Sequence, residues 1–262
     1  MKRVIGCLIA CLSLAPVSAA GVFEGSGNAG ETRTLTVGAA ASLSDALDEA
    51  IEVWSAENPA IKTIVIYGSS GALQKQIGQG APIDVFISAS PKQVDALAKS
   101  GMVTPGSRRV LLENELVLVV PSGSSGVSSW KDLAGKKVTR VALGEPSSVP
   151  AGQYAAETLA SLGLLEAVTP KAAYAKDVRE ALAYVASGDA DAGVVYATDA
   201  KGSDRVRPVA VAPEGTHSPI GYPACAIASS KEPGQAMRFL DWLSSPRAAK
   251  VFVNRGFVVK DR

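Results

Sequence analysis

The run Leu35-Thr36-Val37-Gly38-Ala39-Ala40-Ala41-Ser42-Leu43-Ser44-Asp45 changes period partway along its length. Leu35–Ala40 is a short apolar stretch of the buried-strand kind, closing in small residues. From Leu43 onward the apolar residues Leu43, Ala46, Leu47, Ala50, Ile51 and Trp54 recur at helical spacing. A strand that passes through small residues into an amphipathic helix is the opening of an α/β unit, and the rest of the chain repeats the theme.

Further strand-like runs are Ile64–Tyr67, Asp84–Ser88, Leu116–Val120, Val138–Leu143, Ala192–Tyr196, Val206–Val211 and Ala224–Ala228. Between them, helical periods place Val94, Leu97 and Ala98 on one face, then Tyr154, Leu159 and Leu162, then Val178, Ala181, Leu182 and Val185. Met237, Leu240 and Leu243 form another, and Ser245-Pro246 opens a last helix through Phe252. The expected class is α/β in two lobes. The Ser/Gly-rich Ser122–Ser129 marks a boundary after Leu116–Val120, and Gly221-Tyr222-Pro223 marks a return. One lobe is therefore assigned to residues 33–114 and 224–262, the other to 115–223, with hinge strands between them. After Ala224–Ala228 the chain reads as helical to its end.

The 262 residues are 47% hydrophobic and carry a formal net charge of +1. That balance gives no electrostatic case for nucleic acid, which calls for a concentrated basic patch. Residues 1–20 read as a secretory signal: Lys2 and Arg3, an apolar run from Val4 to Ala15, then Pro16-Val17-Ser18-Ala19-Ala20. Residues 21–32 read as a flexible leader. Removal of the signal leaves 24 basic against 25 acidic residues, a net −1, and a location in the periplasm. Leu8-Ile9-Ala10-Cys11 also has the form of a lipoprotein box, so anchoring through Cys11 is the alternative. Only Cys225 remains in the mature chain, which excludes an internal disulfide and reads as a small core residue.

Four turns expose backbone donors at the start of a helix. They are Ala39–Asp45, with Ser42 at the N-cap position; Tyr67-Gly68-Ser69-Ser70-Gly71-Ala72-Leu73; Ser147-Ser148-Val149-Pro150-Ala151-Gly152-Gln153; and Lys176-Asp177-Val178-Arg179. The first turn of a helix has unpaired N–H groups and a partial positive charge, so it suits an anion. Each turn alone reads as an ordinary cap. Two in each expected lobe, on the strand-end side of an α/β sheet, favour one shared anion site. Tyr196, closing the strand Ala192–Tyr196, adds a hydroxyl at the same edge or else a core aromatic.

At these residues the chain resembles the periplasmic molybdate-binding proteins of ABC transporters. The likeness runs from about Thr34 to Val259 and rests on Ala39-Ala40-Ala41-Ser42-Leu43, Gly68-Ser69-Ser70, Gly80–Ala89, Val149-Pro150-Ala151-Gly152, Asp177-Val178-Arg179 and Gly193-Val194-Val195-Tyr196. It implies a type II-like periplasmic-binding-protein fold that closes on its ligand. It implies hydroxyl and N–H bonds from Ser42 and Ser70, N–H bonds from Ala151 and Val178, and a hydroxyl from Tyr196. Gly71 departs from the family, which often has a third serine there. The implied ligand is molybdate or tungstate, the implied partner a membrane permease, and the expected state a monomer without catalytic residues, resident metal or cofactor.

An all-donor site suits an oxyanion that is fully ionised near neutral pH, whereas phosphate retains a proton and wants an acceptor. Sulfate or thiosulfate on the same fold is the alternative. A secreted hydrolase is disfavoured, because the single His217 lies in a loop and Gly68-Ser69-Ser70-Gly71 lacks nucleophile-elbow spacing. One His and one mature Cys exclude the usual zinc clusters. Asp45, Asp84 and Asp177 read as caps and strand-edge groups, and Arg179 as pointing outward.

Overall fold

The computed structural model describes residues 33–259. The signal, the leader and Cys11 lie outside the described residues. β1 (Arg33–Ala40) passes through a 3-10 turn (Ala41–Leu43) into α1 (Ser44–Glu57). β2 (Ile61–Gly68), α2 (Ser70–Gly78), β3 (Val85–Ile87), α3 (Pro91–Lys99) and β4 (Arg109–Glu113) follow. Next come β5 (Leu116–Pro121), β6 (Val141–Gly144), α4 (Pro150–Ser161), α5 (Leu165–Val168), β7 (Ala172–Ala175), α6 (Val178–Ala186), β8 (Ala192–Tyr196), α7 (Ala197–Lys201) and β9 (Val206–Val211). β10 (Gly221–Ala226), α8 (Pro233–Leu243), α9 (Pro246–Asn254) and β11 (Val258–Val259) complete the described chain.

Two sheets result. The six-stranded sheet has the order β11-β4-β10-β3-β1-β2, and the five-stranded sheet β7-β6-β8-β5-β9. β1 runs parallel to β2 and β3, while β10 is antiparallel to β3 and β4. In the other sheet β6 runs parallel to β7 and β8, and β5 antiparallel to β8 and β9. The chain crosses from one sheet to the other between Glu113 and Leu116 and returns between Val211 and Gly221. This is the two-lobed α/β architecture, with β3 and β10 joining the early and late segments in one sheet.

Packing explains the return. Leu35, Val37 and Ala39 of β1 and Leu47 and Ala50 of α1 are fully buried. Trp54 of α1 meets the rings of Phe239 and Trp242 of α8 edge-on, at centroid separations of 5.2 and 5.6 Å. Burial of one such side chain contributes roughly 1.5–3 kcal/mol, so the C-terminal helices are held to the first helix by their apolar face.

Some elements differ from expectation. β4 and β7 went unread: Arg109–Glu113 has charged ends, and Ala172–Ala175 is alanine-rich, a poor strand composition taken alone. Neither has a local signal, and each is a strand because a neighbour supplies its hydrogen bonds. Val138 precedes β6 instead of starting it, and β10 starts at Gly221. The C-terminal part is not helical to its end, since β11 pairs with β4.

Candidate functional site

The parallel strands β1, β2, β6, β7 and β8 end at Ala40, Gly68, Gly144, Ala175 and Tyr196, and the turns that follow converge. They line one narrow pocket, formed by Ala40–Ser42, Gly68–Ser70, Ala89, Val149–Ala151, Asp177, Val178 and Tyr196. All five expected site residues, Ser42, Ser70, Ala151, Val178 and Tyr196, lie in this lining, contributed by segments of both sheets. Among the described residues no Lys, Arg or His lines it. Its one acid, Asp177, is turned to its own helix, where Oδ1 accepts from the Glu180 N–H at 2.9 Å.

Each turn is built differently. At α2 the N-cap is Ser69, whose Oγ accepts from Ala72 N–H at 3.3 Å; Ser70 is therefore the first helical residue. Ser70 Oγ accepts from the Ala89 N–H at 3.0 Å, so its own proton remains to be donated. At α4, Pro150 takes the first position and leaves the Ala151 and Gly152 N–H groups without intrahelical acceptors. Gly152 packs so closely on β6 that a Cβ would stand 1.9 Å from the Gly144 carbonyl oxygen. At α6, Asp177 caps and Val178 opens the helix, as expected.

Ser42 is not a helix cap. It lies within the 3-10 turn, whose own cap and that of α1 make no side-chain bond. Its Oγ instead lies 3.0 Å from the Tyr222 hydroxyl. The reason is the extra 3-10 turn, which moves the start of α1 to Ser44 and turns Ser42 inward.

Tyr196 is 1% exposed, and its hydroxyl has no hydrogen-bond partner. Burial raises the pKa of this phenol well above its usual value, so the group stays a donor. A buried hydroxyl left unpaired costs about 1–3 kcal/mol, and such groups mark places where a partner belongs.

Arg179 does not point outward. Its guanidinium reaches Asp45 of α1 at 2.9 Å and stands 2.9 Å from the fully buried Asp199 of α7. Asp45 is accordingly an ion-pair partner across the two halves, not a cap. Asp84 is the strand-edge group expected, accepting from Thr36 N–H at 2.7 Å and from Ser230 Oγ at 2.6 Å. Burial raises the Asp199 carboxyl to about 7 against the pull of Arg179. The halves also meet where the Gly71 N–H donates to the Ser148 carbonyl at 2.9 Å. A Cβ on Gly71 would lie 2.5 Å from that oxygen, so this contact requires the glycine. Sequence reading missed Tyr222, Asn114 and Asp199. Gly221-Tyr222-Pro223 reads along the chain as a boundary, and nothing local ties the other two to the pocket.

A two-sheet α/β fold whose helix N-termini close on a pocket free of cationic side chains is that of a solute-binding protein. The chain belongs to the bacterial extracellular solute-binding protein family, whose model matches residues 35–258. It is 45% identical over 228 residues to YvgL of Bacillus subtilis, named as an ABC transporter substrate-binding lipoprotein, covering 87% of each chain. It is 38% identical over 230 residues to the molybdate-binding protein ModA of Haemophilus influenzae, covering 86% of this chain and 90% of the relative. The solved periplasmic molybdate-binding protein of Azotobacter vinelandii superposes with a TM-score of 0.79 at 28% identity, covering 87% of this chain and 100% of that one.

Proposed function

We propose that the protein captures molybdate, and tungstate equally, outside the cytoplasm and delivers it to the membrane permease of an ABC transporter. The observation that carries this is the Tyr196 hydroxyl, buried and unpartnered at a pocket lined by helix N-termini and serines. The relatives named for molybdate support the choice of anion. The oxyanion is held by Ser42 and Ser70 through hydroxyl and N–H, by the Ala151 and Val178 N–H groups, and by Tyr196. Residues 33–114 with 224–262 act as one lobe and 115–223 as the other, and ligand shifts the population to the closed form that the permease recognises. The protein works as a monomer in the periplasm after removal of residues 1–20; a lipid anchor on Cys11 is the variant of this scheme that the name of the B. subtilis relative favours.

Calorimetric titration with molybdate, tungstate, sulfate and phosphate tests the reading. Molybdate and tungstate should bind tightly and phosphate weakly. Ser42→Ala, Ser70→Ala and Tyr196→Phe should each lose about 1.5–3 kcal/mol, the scale of a hydrogen bond to a charged group. Tight sulfate binding without molybdate would move the assignment to sulfate, and no oxyanion binding at all would remove the class.

A further inference from the structure

Asn114 lies in the crossover between β4 and β5, and its amide orientation is settled by its neighbours. Its Oδ1 accepts from the Glu115 backbone N–H at 2.9 Å. A backbone N–H only donates, so the other end of the amide is the NH2 group. That group donates to Thr198 Oγ1 at 2.9 Å and to the Tyr222 hydroxyl oxygen at 3.3 Å. Tyr222 is fully buried, burial raises the pKa of its phenol, and Ser42 Oγ stands 3.0 Å from the hydroxyl. The Asn114 NH2 cannot accept, so of the two groups at the phenol only Ser42 Oγ can take its proton. Ser42 has then accepted, and its own proton is left for the pocket it lines.

The geometry points to Asn114 and Tyr222 as specificity-determining residues, a one-way relay that keeps Ser42 a donor and so selects oxyanions carrying no proton. The inference rests on the oxyanion reading of the pocket. A free serine hydroxyl can donate or accept, and by turning to accept it would welcome the O–H of hydrogen phosphate. Here that reversal is blocked, because the Asn114 NH2 cannot accept. Ser70 has the same polarity by a shorter route, since its Oγ already accepts from the Ala89 N–H. Neither Asn114 nor Tyr222 lines the pocket, so their effect passes through Ser42.

Tyr222→Phe removes the donor to Ser42, and Asn114→Asp reverses the chain by giving Tyr222 an acceptor while keeping the bond to the Glu115 N–H. Molybdate affinity by calorimetry, phosphate affinity by competition and the melting temperature are measured for both and for the wild type. Molybdate binding should weaken about tenfold in each variant, the scale of one hydrogen bond to an anion, while phosphate binding strengthens. Loss of affinity for both anions alike, or an unchanged preference, overturns the relay and leaves the two residues as mere supports of Ser42. A wild-type protein that binds no tetrahedral oxyanion overturns the pocket reading and this inference together, and that outcome is visible before any variant is made.

Discussion

Single residues decide the polarity of the pocket, and the patterns that locate them differ in kind. Ser70 and Val178 were recognisable because a helix start has a local grammar of caps and small residues. Asp199 was not, since its meaning comes from Arg179 and from burial, both tertiary. Its carboxyl is raised from the ordinary value near 3.8 to about 7 by burial. The sign follows from linkage. Between those two values the folded protein holds a proton that the unfolded chain has released, so this group's contribution favours folding less as pH rises from about 4 to about 7. Urea titrations of wild type and Asp199→Asn across that range should show the wild type losing stability relative to the variant, by on the order of 4 kcal/mol, with no further change above it. A difference that is flat with pH would mean the carboxyl titrates normally.

At the scale of elements, the helix N-termini do the positioning, and two glycines set how near they come. Gly152 lets α4 rest on the end of β6, and Gly71 lets α2 touch the turn before α4. The departure at Gly71 from the third serine that the resemblance implies thus has a physical reason in this chain. Gly71→Ser would force its Cβ against the Ser148 carbonyl and hold the two halves apart. We expect a loss of about 1–3 kcal/mol in molybdate binding, the usual cost of overpacking, with the melting temperature of the ligand-free protein little changed. Equal loss in the ligand-free melting temperature would place the clash in the resting fold instead. Most of these helices were legible from apolar spacing. β4, β7 and β11 were not, because short strands with alanine or charged residues take their identity from the partner strand.

For the whole molecule, no Lys, Arg or His among the described residues lines the pocket, and the proposed reading has the anion met by neutral donors. The ion pair of Arg179 with Asp45, which joins the halves beside the pocket, is partly exposed, with side chains 28% and 46% accessible. Pairs of that exposure are worth about 0–1 kcal/mol and are screened by salt. Molybdate affinity should therefore change less than about threefold between roughly 0.01 and 0.15 M ionic strength. A steep fall over that range would show that lysine or arginine carries the binding.

The exclusion of Lys176 and Arg179 of the fourth turn from the pocket lining is a tertiary fact, whereas the α/β alternation and the helix starts are legible along the chain, because period and capping are local properties. The crossing points between the sheets were placed there only approximately. What the tertiary structure alone decided was which groups face one another: Ser42 turned from cap to pocket by the 3-10 turn, Arg179 drawn inward between two carboxylates, Tyr196 left without a partner, and Asn114 and Tyr222 joined behind Ser42. Each depends on contacts between residues far apart in the chain, and no spacing along the sequence encodes the direction in which a buried hydroxyl gives its proton.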